Sequence, residues 1–194
     1  MQQSASLGQC HPCHPCVPAQ LVAQDDGWVW TIHMDVAPSG EAPVRLIAYW
    51  QAKRAERVPV SRRQIDPLEV PRLLPQLFIA RFDASRDDYV YTLIGTGITR
   101  LLEADRTGAT LAEVYGVEGA GPVRAIYTLA VAEDRPVCTA GTIQREPGWP
   151  GRSDAIRTIG FEAVHLPIRD RDDTAWMILG GLFTSRMPSE SSLF

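Results

Sequence analysis

Nowhere does the chain approach the roughly 20 consecutive apolar residues of a membrane-spanning helix. Its first residues, MQQSASLGQ, lack both the cationic and the apolar segment of an export signal. These absences point away from the membrane and toward a cytoplasmic location, where thiols stay reduced and a disulfide framework is not expected. Lysine and arginine are missing altogether between Met1 and Val44, a stretch that holds four of the 23 acidic residues. The remainder sets 19 basic against 19 acidic residues, which leaves no cationic face of the kind that nucleic acid or an anionic lipid surface requires. Missing too are G-x-S-x-G, H-E-x-x-H, a glycine-rich phosphate loop and any kinase or cyclase sequence after Ser185, so enzymatic activity is not expected. Gly95 and Gly97 in GTG suit a tight strand-to-helix corner better than a phosphate cradle.

Cysteine and histidine are scarce, four of each, yet five of the eight crowd together as Cys10, His11, Cys13, His14 and Cys16. CHPCH has the spacing of covalent haem attachment, a chemistry that normally follows export. Both histidines precede proline, which biases the chain toward extended conformations. In polyproline geometry successive cysteines stand about 9 Å apart, whereas thiolates sharing a zinc converge to about 2.3 Å from the metal. A redox C-x-x-C wants a strand before it and a helix after it, and VPAQLVAQDDG supplies no helix. These five residues are weak metal-ligand candidates. They carry the alternative function, a metal- or redox-responsive protein.

What is present fits one domain: 194 residues with 45% hydrophobic content can bury a single core. Residues 1–43, rich in Gln, Ser, His-Pro and APSGEAP, read as a flexible tail. One apolar patch in it, GWVWTIH, suits a short strand or a docking segment, and Met34 is an alternative initiator at the change in composition. Helical spacing of Leu46, Tyr49, Trp50 and Lys53 predicts a helix over 44–57. Asp66, Pro67 and Glu69 form a capping-box pattern that opens a short helix ending near Leu74. QLFIARF and YVYTLIG read as a hairpin. GITRLLEAD and TLAEVYG are short helices, and GPVRAIYTLAVAEDR is a longer one with Val123, Ile126, Tyr127, Ala130 and Val131 on one face. PVCTAGTI, RTIGFEAVHLPIR and TAWMILGGLFTS are three further strands, the first two separated by the loop QREPGWPGRSDA. The expected fold is α+β, a five-stranded antiparallel sheet with helices on one face. The nearly continuous apolar character of VHLPI and AWMILGGLF requires a cover on the other face, for which the helix at 44–57 is the evident choice.

The order of two strands, helices and three strands, together with YWQAKR, VPVSRRQIDPLEVPRLLPQLF, YTLIGTGITRLL, RTGATLAEVY, RPV and HLPIRDRDD, resembles a bacterial stand-alone PAS domain family with an N-terminal helical cap. The resemblance implies a PAS-like domain over 44–186, with a cap at 44–75, a core at 76–186 and a short tail at 187–194. It also implies a sensory or regulatory protein in signal transduction. A signalling protein would be the partner, docking on the cap and outer sheet face through Tyr49, Trp50, Arg62 and Arg63, and that surface could equally serve a homodimer. A small molecule would lie between sheet and helices near Tyr91, Thr96, Tyr127, Cys138 and His165, polar atoms in an apolar wall. The chain departs from the family at His165, where an apolar residue is usual. The long helix has no His to ligate haem and the short helices have no Cys for flavin photochemistry, so a tightly bound cofactor is not expected.

Overall fold

The computed structural model describes residues 19–23, 28–145 and 158–186. Its elements are β1 (Ala19–Ala23), β2 (Trp28–Met34), α1 (Glu41–Glu56), β3 (Leu77–Asp83), β4 (Asp88–Ile94), α2 (Thr96–Leu102), α3 (Leu111–Glu133), β5 (Val137–Arg145), β6 (Thr158–Arg169) and β7 (Trp176–Arg186). One antiparallel sheet holds all seven strands in the order β1-β2-β5-β6-β7-β3-β4.

The five strands expected from the sequence lie side by side, and two more extend the sheet beyond β5. GWVWTIH, assigned above to the flexible tail, forms β2 and pairs with β5 from Trp28↔Arg145 to Met34↔Thr139. Its alternation explains the choice: Trp30 and Ile32 are each 6% exposed on the core side, while Thr31 between them is half-buried and His33 beyond them faces solvent. The pattern was visible, but the partner is an edge lying more than a hundred residues downstream. The folded unit therefore starts well before residue 44, and residues 28–43 are not a tail.

Period-2 alternation splits the sheet side chains into two cores. Phe78, Tyr91, Val137, Ile143, Phe161, Ala163 and Ile178 pack under α2 and α3. Leu77, Ile79, Cys138, Val164, Leu166, Ile168 and Leu179 pack under α1 through Leu46 and Trp50. Strand β6 is buried on both faces, as its apolar run requires.

Helix α1 starts a few residues before the expected Val44, and a strand residue supplies the reason. Glu162 on β6 accepts from the backbone N–H of Ser39 at 3.1 Å and of Gly40 at 2.9 Å, and from the Ser39 hydroxyl. It thus satisfies the donor of the N-cap residue and the one before it, and places a negative charge at the helix N-terminus. Burial pushes this carboxyl up, but the bonds from Ser39 and Gly40 outweigh it and hold the group below its ordinary value. Glu162→Gln should cost about 1 kcal/mol in urea denaturation at neutral pH. A depressed folded-state pKa contributes stability above the unfolded value of about 4.3, lost as the pH falls through the folded value. The two proteins should therefore converge in acid, and a difference that persists undiminished at pH 3 would contradict the capping role.

Beyond His165, β6 runs past the end of β5, and the cap supplies its missing partners. The Trp50 Nε1–H donates to the Pro167 carbonyl at 2.9 Å, and the Arg169 N–H donates to Val60 O at 2.8 Å. The helix expected over 66–74 is instead part of a series of single 3-10 turns, Arg62–Gln64, Pro67–Glu69 and Leu74–Gln76. Pro71 and Pro75 withhold the donors that propagation needs. Asp66 does cap, accepting from the Leu68 N–H at 2.9 Å, but the reciprocal capping box forms at Ser61 and Gln64. The helices expected at TLAEVYG and GPVRAIYTLAVAEDR are merged into α3, broken at Gly116, whose φ of 72° and ψ of 166° suit glycine alone.

Candidate functional site: an aromatic cavity between sheet and helices

A cavity of about 70 Å³ lies between the sheet and helices α2 and α3. Phe78, Tyr91, Thr139, Phe161, Ala163, His165 and Leu182 form its floor. Ile98 and Leu102 of α2 form part of its roof, with Val114, Tyr115, Val123, Ile126 and Tyr127 of α3. Trp30 and Ile32 of β2 close one side, and Arg106 reaches it from the loop before α3. The Gly116 break lets α3 contribute from both of its arms, Val114 and Tyr115 before it and Val123 to Tyr127 after it.

Two polar groups interrupt the apolar wall. In the first, the Tyr91 hydroxyl lies 3.3 Å from that of Tyr115 and 3.2 Å from that of Tyr127. Desolvation, reinforced by the neighbouring phenols, raises the Tyr91 pKa well above its ordinary value; burial does the same for Tyr127 and also raises that of Tyr115. All three are neutral hydrogen-bonding groups. In the second, His165 Nε2 lies 3.3 Å from the Thr139 hydroxyl, and Nδ1 is buried without a hydrogen-bond partner. Desolvation lowers the His165 pKa from 6.5 to about 3, so the imidazole is neutral. Its ring sits 5.5 Å from the Tyr127 ring and 6.0 Å from that of Phe78. Across the ladder His165 faces Gly180, where a Cβ would lie 2.0 Å from the Phe78 ring. Glycine there makes room for the aromatic floor.

Of the five pocket residues expected from the sequence, Tyr91, Tyr127 and His165 line this cavity. Thr96 does not, because it is exposed at the start of α2. Cys138 is turned to the cap side by strand alternation, one residue from Thr139, and packs in the core under α1. Thr139 and Tyr115 are the polar lining residues that sequence reasoning missed. Their signal was available in principle: Thr139 has the strand parity opposite to Cys138, and Tyr115 precedes a helix-breaking glycine. Gly95 and Gly97 mark a close backbone approach, since a Cβ at Gly95 would lie 2.4 Å from Pro75 O and one at Gly97 would lie 2.8 Å from it.

The expected docking residues divide similarly. Trp50 is 2% exposed and points into the sheet, so it is a core anchor and not a partner contact. Helical spacing brought it next to Tyr49, but only packing shows which of the two faces inward. Tyr49 is half-buried, and its hydroxyl accepts from the Asp66 N–H at 2.8 Å. Burial leads the causes that push its pKa to about 12. Arg62 donates to Ile65 O at 3.0 Å, and the exposed Arg63 pairs with Asp172 at 3.2 Å. Arg54 of α1 binds Asp134 at the C-terminus of α3, joining the cap to the helix over the cavity. Arg135 makes a bidentate pair with Asp35 at 2.8 and 3.1 Å, tying the end of β2 to the same corner.

Among the described residues no three His, Cys, Asp or Glu side chains gather as a metal site, and no helix is long and apolar enough to cross a membrane. Cys10, His11, Cys13, His14 and Cys16 lie outside the described residues, as do most of the loop QREPGWPGRSDA and residues 187–194.

An antiparallel sheet with helices across one face and an aromatic cavity between them defines a sensory type of α+β module, here with a helical cap on the opposite face. The family model described as PAS domain matches residues 39–183, three quarters of the chain, and the chain belongs to that family of sensory and regulatory domains. None of the curated proteins matches the sequence.

Proposed function

We propose that this PAS domain protein is a non-catalytic regulator that binds a small molecule in the cavity and passes its occupancy to a protein partner through the cap. The observation that carries the reading is the way the central strands separate the two. Thr139 and His165 face the cavity, while their chain neighbours Cys138 and Leu166 face Leu46 and Trp50 of the cap side. A shift of β5 or β6 that accommodates a ligand is therefore felt by the cap across one thickness of sheet. The Arg54–Asp134 pair provides a second link, from the C-terminus of α3 directly to α1.

The docking surface would be the outer face of the cap, where Leu68 is 82% exposed and Arg63 lies nearby in sequence. Photo-crosslinkers at positions 63 and 68 should capture one discrete protein in the cells that make this chain, or a second copy of it. The double substitution Arg63→Glu, Leu68→Glu should abolish capture from a crosslinker at Tyr49 while leaving the melting temperature unchanged within a few degrees. Capture that survives the substitution would exclude this face as the dock.

A further inference from the structure

The two polar groups of the cavity are not equivalent. Tyr91, Tyr115 and Tyr127 hydrogen-bond among themselves. His165 has only Thr139 as a partner, and its second ring nitrogen is buried and unpaired. The unmade bond at a buried polar atom costs about 1–3 kcal/mol and identifies where an occupant of the cavity would gain most.

Which kind of group belongs there follows from the tautomer. The Thr139 hydroxyl has one proton to donate, and His165 Nε2 is its hydrogen-bonding partner. If Nε2 carried the imidazole proton it would donate to the Thr139 oxygen, and both the threonine proton and the buried Nδ1 lone pair would be left without partners. With Nε2 accepting from Thr139, the neutral ring carries its proton on Nδ1, and Nδ1–H is a buried donor that wants an acceptor.

Size and charge narrow the class further. At about 70 Å³, the cavity is less than half of the roughly 150 Å³ known to take benzene. His165, neutral and enclosed by aromatic rings, provides no counter-charge for an anion, and among the described residues no carboxylate lines the cavity to hold a cation. Arg106 is the single charged lining residue.

Building on the cavity being the sensory site, we propose that it takes a small neutral carbonyl compound of about three or four heavy atoms, its oxygen accepting from His165 Nδ1–H. At a ceiling of about 1.5 kcal/mol per heavy atom, such a ligand binds no more tightly than tens of micromolar. This is a sensor for a metabolite present at high micromolar to millimolar levels.

Acetone, isobutene and acetate, titrated into the ¹⁵N- and ¹³C-labelled full chain and followed by NMR, separate the outcomes. Long-range ¹⁵N shifts of His165 should show Nδ1 protonated and Nε2 not. Acetone should perturb His165, Tyr127 and Phe78 saturably and bind roughly tenfold more tightly than isobutene, the worth of one buried hydrogen bond. Thr139→Val, which frees the tautomer without changing side-chain volume much, should shrink that preference severalfold, as should His165→Leu. Equal binding of ketone and alkene overturns the carbonyl assignment while leaving the cavity a ligand site. Tighter binding of acetate does the same and moves the determinant to Arg106. An Nε2-protonated ring also overturns it. No saturable binding by any of the three, with ordered water alone at His165 Nδ1, overturns both the assignment and the sensory reading of the cavity.

Discussion

Trp30→Ala should lower the free energy of unfolding by about 3–5 kcal/mol, the usual range for truncating a buried tryptophan. For a chain of this length that is a fall in melting temperature of about 6–20 °C. The side chain is 6% exposed and meets the Phe161 ring edge-on at 5.4 Å and the Tyr115 ring at 6.4 Å. It also walls the cavity, so its loss leaves a void continuous with existing empty space that the surrounding strands cannot close. His33 on the same strand is the control: exposed and pointing to the other side, its replacement by alanine should stay within about 0.5 kcal/mol. Urea melts with unchanged slope would measure both. A Trp30 variant no less stable than the His33 variant would mean that β2 is not part of the cooperative unit. A protein beginning at Met34 would lose this strand and β1 together.

Acid should destabilise the protein through His165, and by nearly as much. The group titrates near 3 in the fold against 6.5 when free, because burial disfavours the imidazolium. The depressed value means that the unfolded chain binds the proton first as pH falls. Stability is therefore full above about pH 6.5 and declines by about 1.4 kcal/mol per pH unit until the folded-state value is reached. The direction is opposite to that of a histidine held by a carboxylate. Among the described residues no acid lines the cavity; the groups that face the ring are Thr139, Phe78 and the neutral Tyr127, and Arg106 is the one charged lining residue. Other groups add to the slope in acid, among them Glu162 and Asp170, whose pKa values are also lowered. The informative quantity is thus the difference between the wild type and His165→Leu, measured by denaturation from pH 7 to 4. The stability of the wild type relative to the variant should fall by about 1.4 kcal/mol per unit as the pH falls below 6. Parallel curves would show that the imidazole is accessible to water or paired when charged.

Much of the architecture was legible because the signals were local. Alternation in QLFIARF and YVYTLIG, helical spacing in GPVRAIYTLAVAEDR and the two apolar faces of VHLPI identify elements from neighbours a few residues apart. The strands are found within a residue or two of their expected places, and the helix ends where expected but begins earlier, joined to TLAEVYG as α3. The need to cover both faces of the sheet followed from β6 alone. The capping box and the helix over 66–74 were misplaced for the same local reason: several Ser, Asp and Gln residues compete to cap there, and which bond forms depends on how the segment meets α1 and β6.

Composition, period and breaker residues, all properties of short windows, were enough to specify the α+β class, the succession of elements and the existence of a cap. Pairing and parity were not, because they depend on edges and faces supplied by distant parts of the chain. Strand β2 is joined to the sheet by an edge at Val137–Arg145. Trp50 is separated from Tyr49, and Cys138 from Thr139, by which way each side chain turns once the layers are stacked. The unpaired nitrogen of His165 belongs to the same kind of fact, since it arises only where β5, β6 and α3 enclose the ring and shut out the water that would otherwise satisfy it.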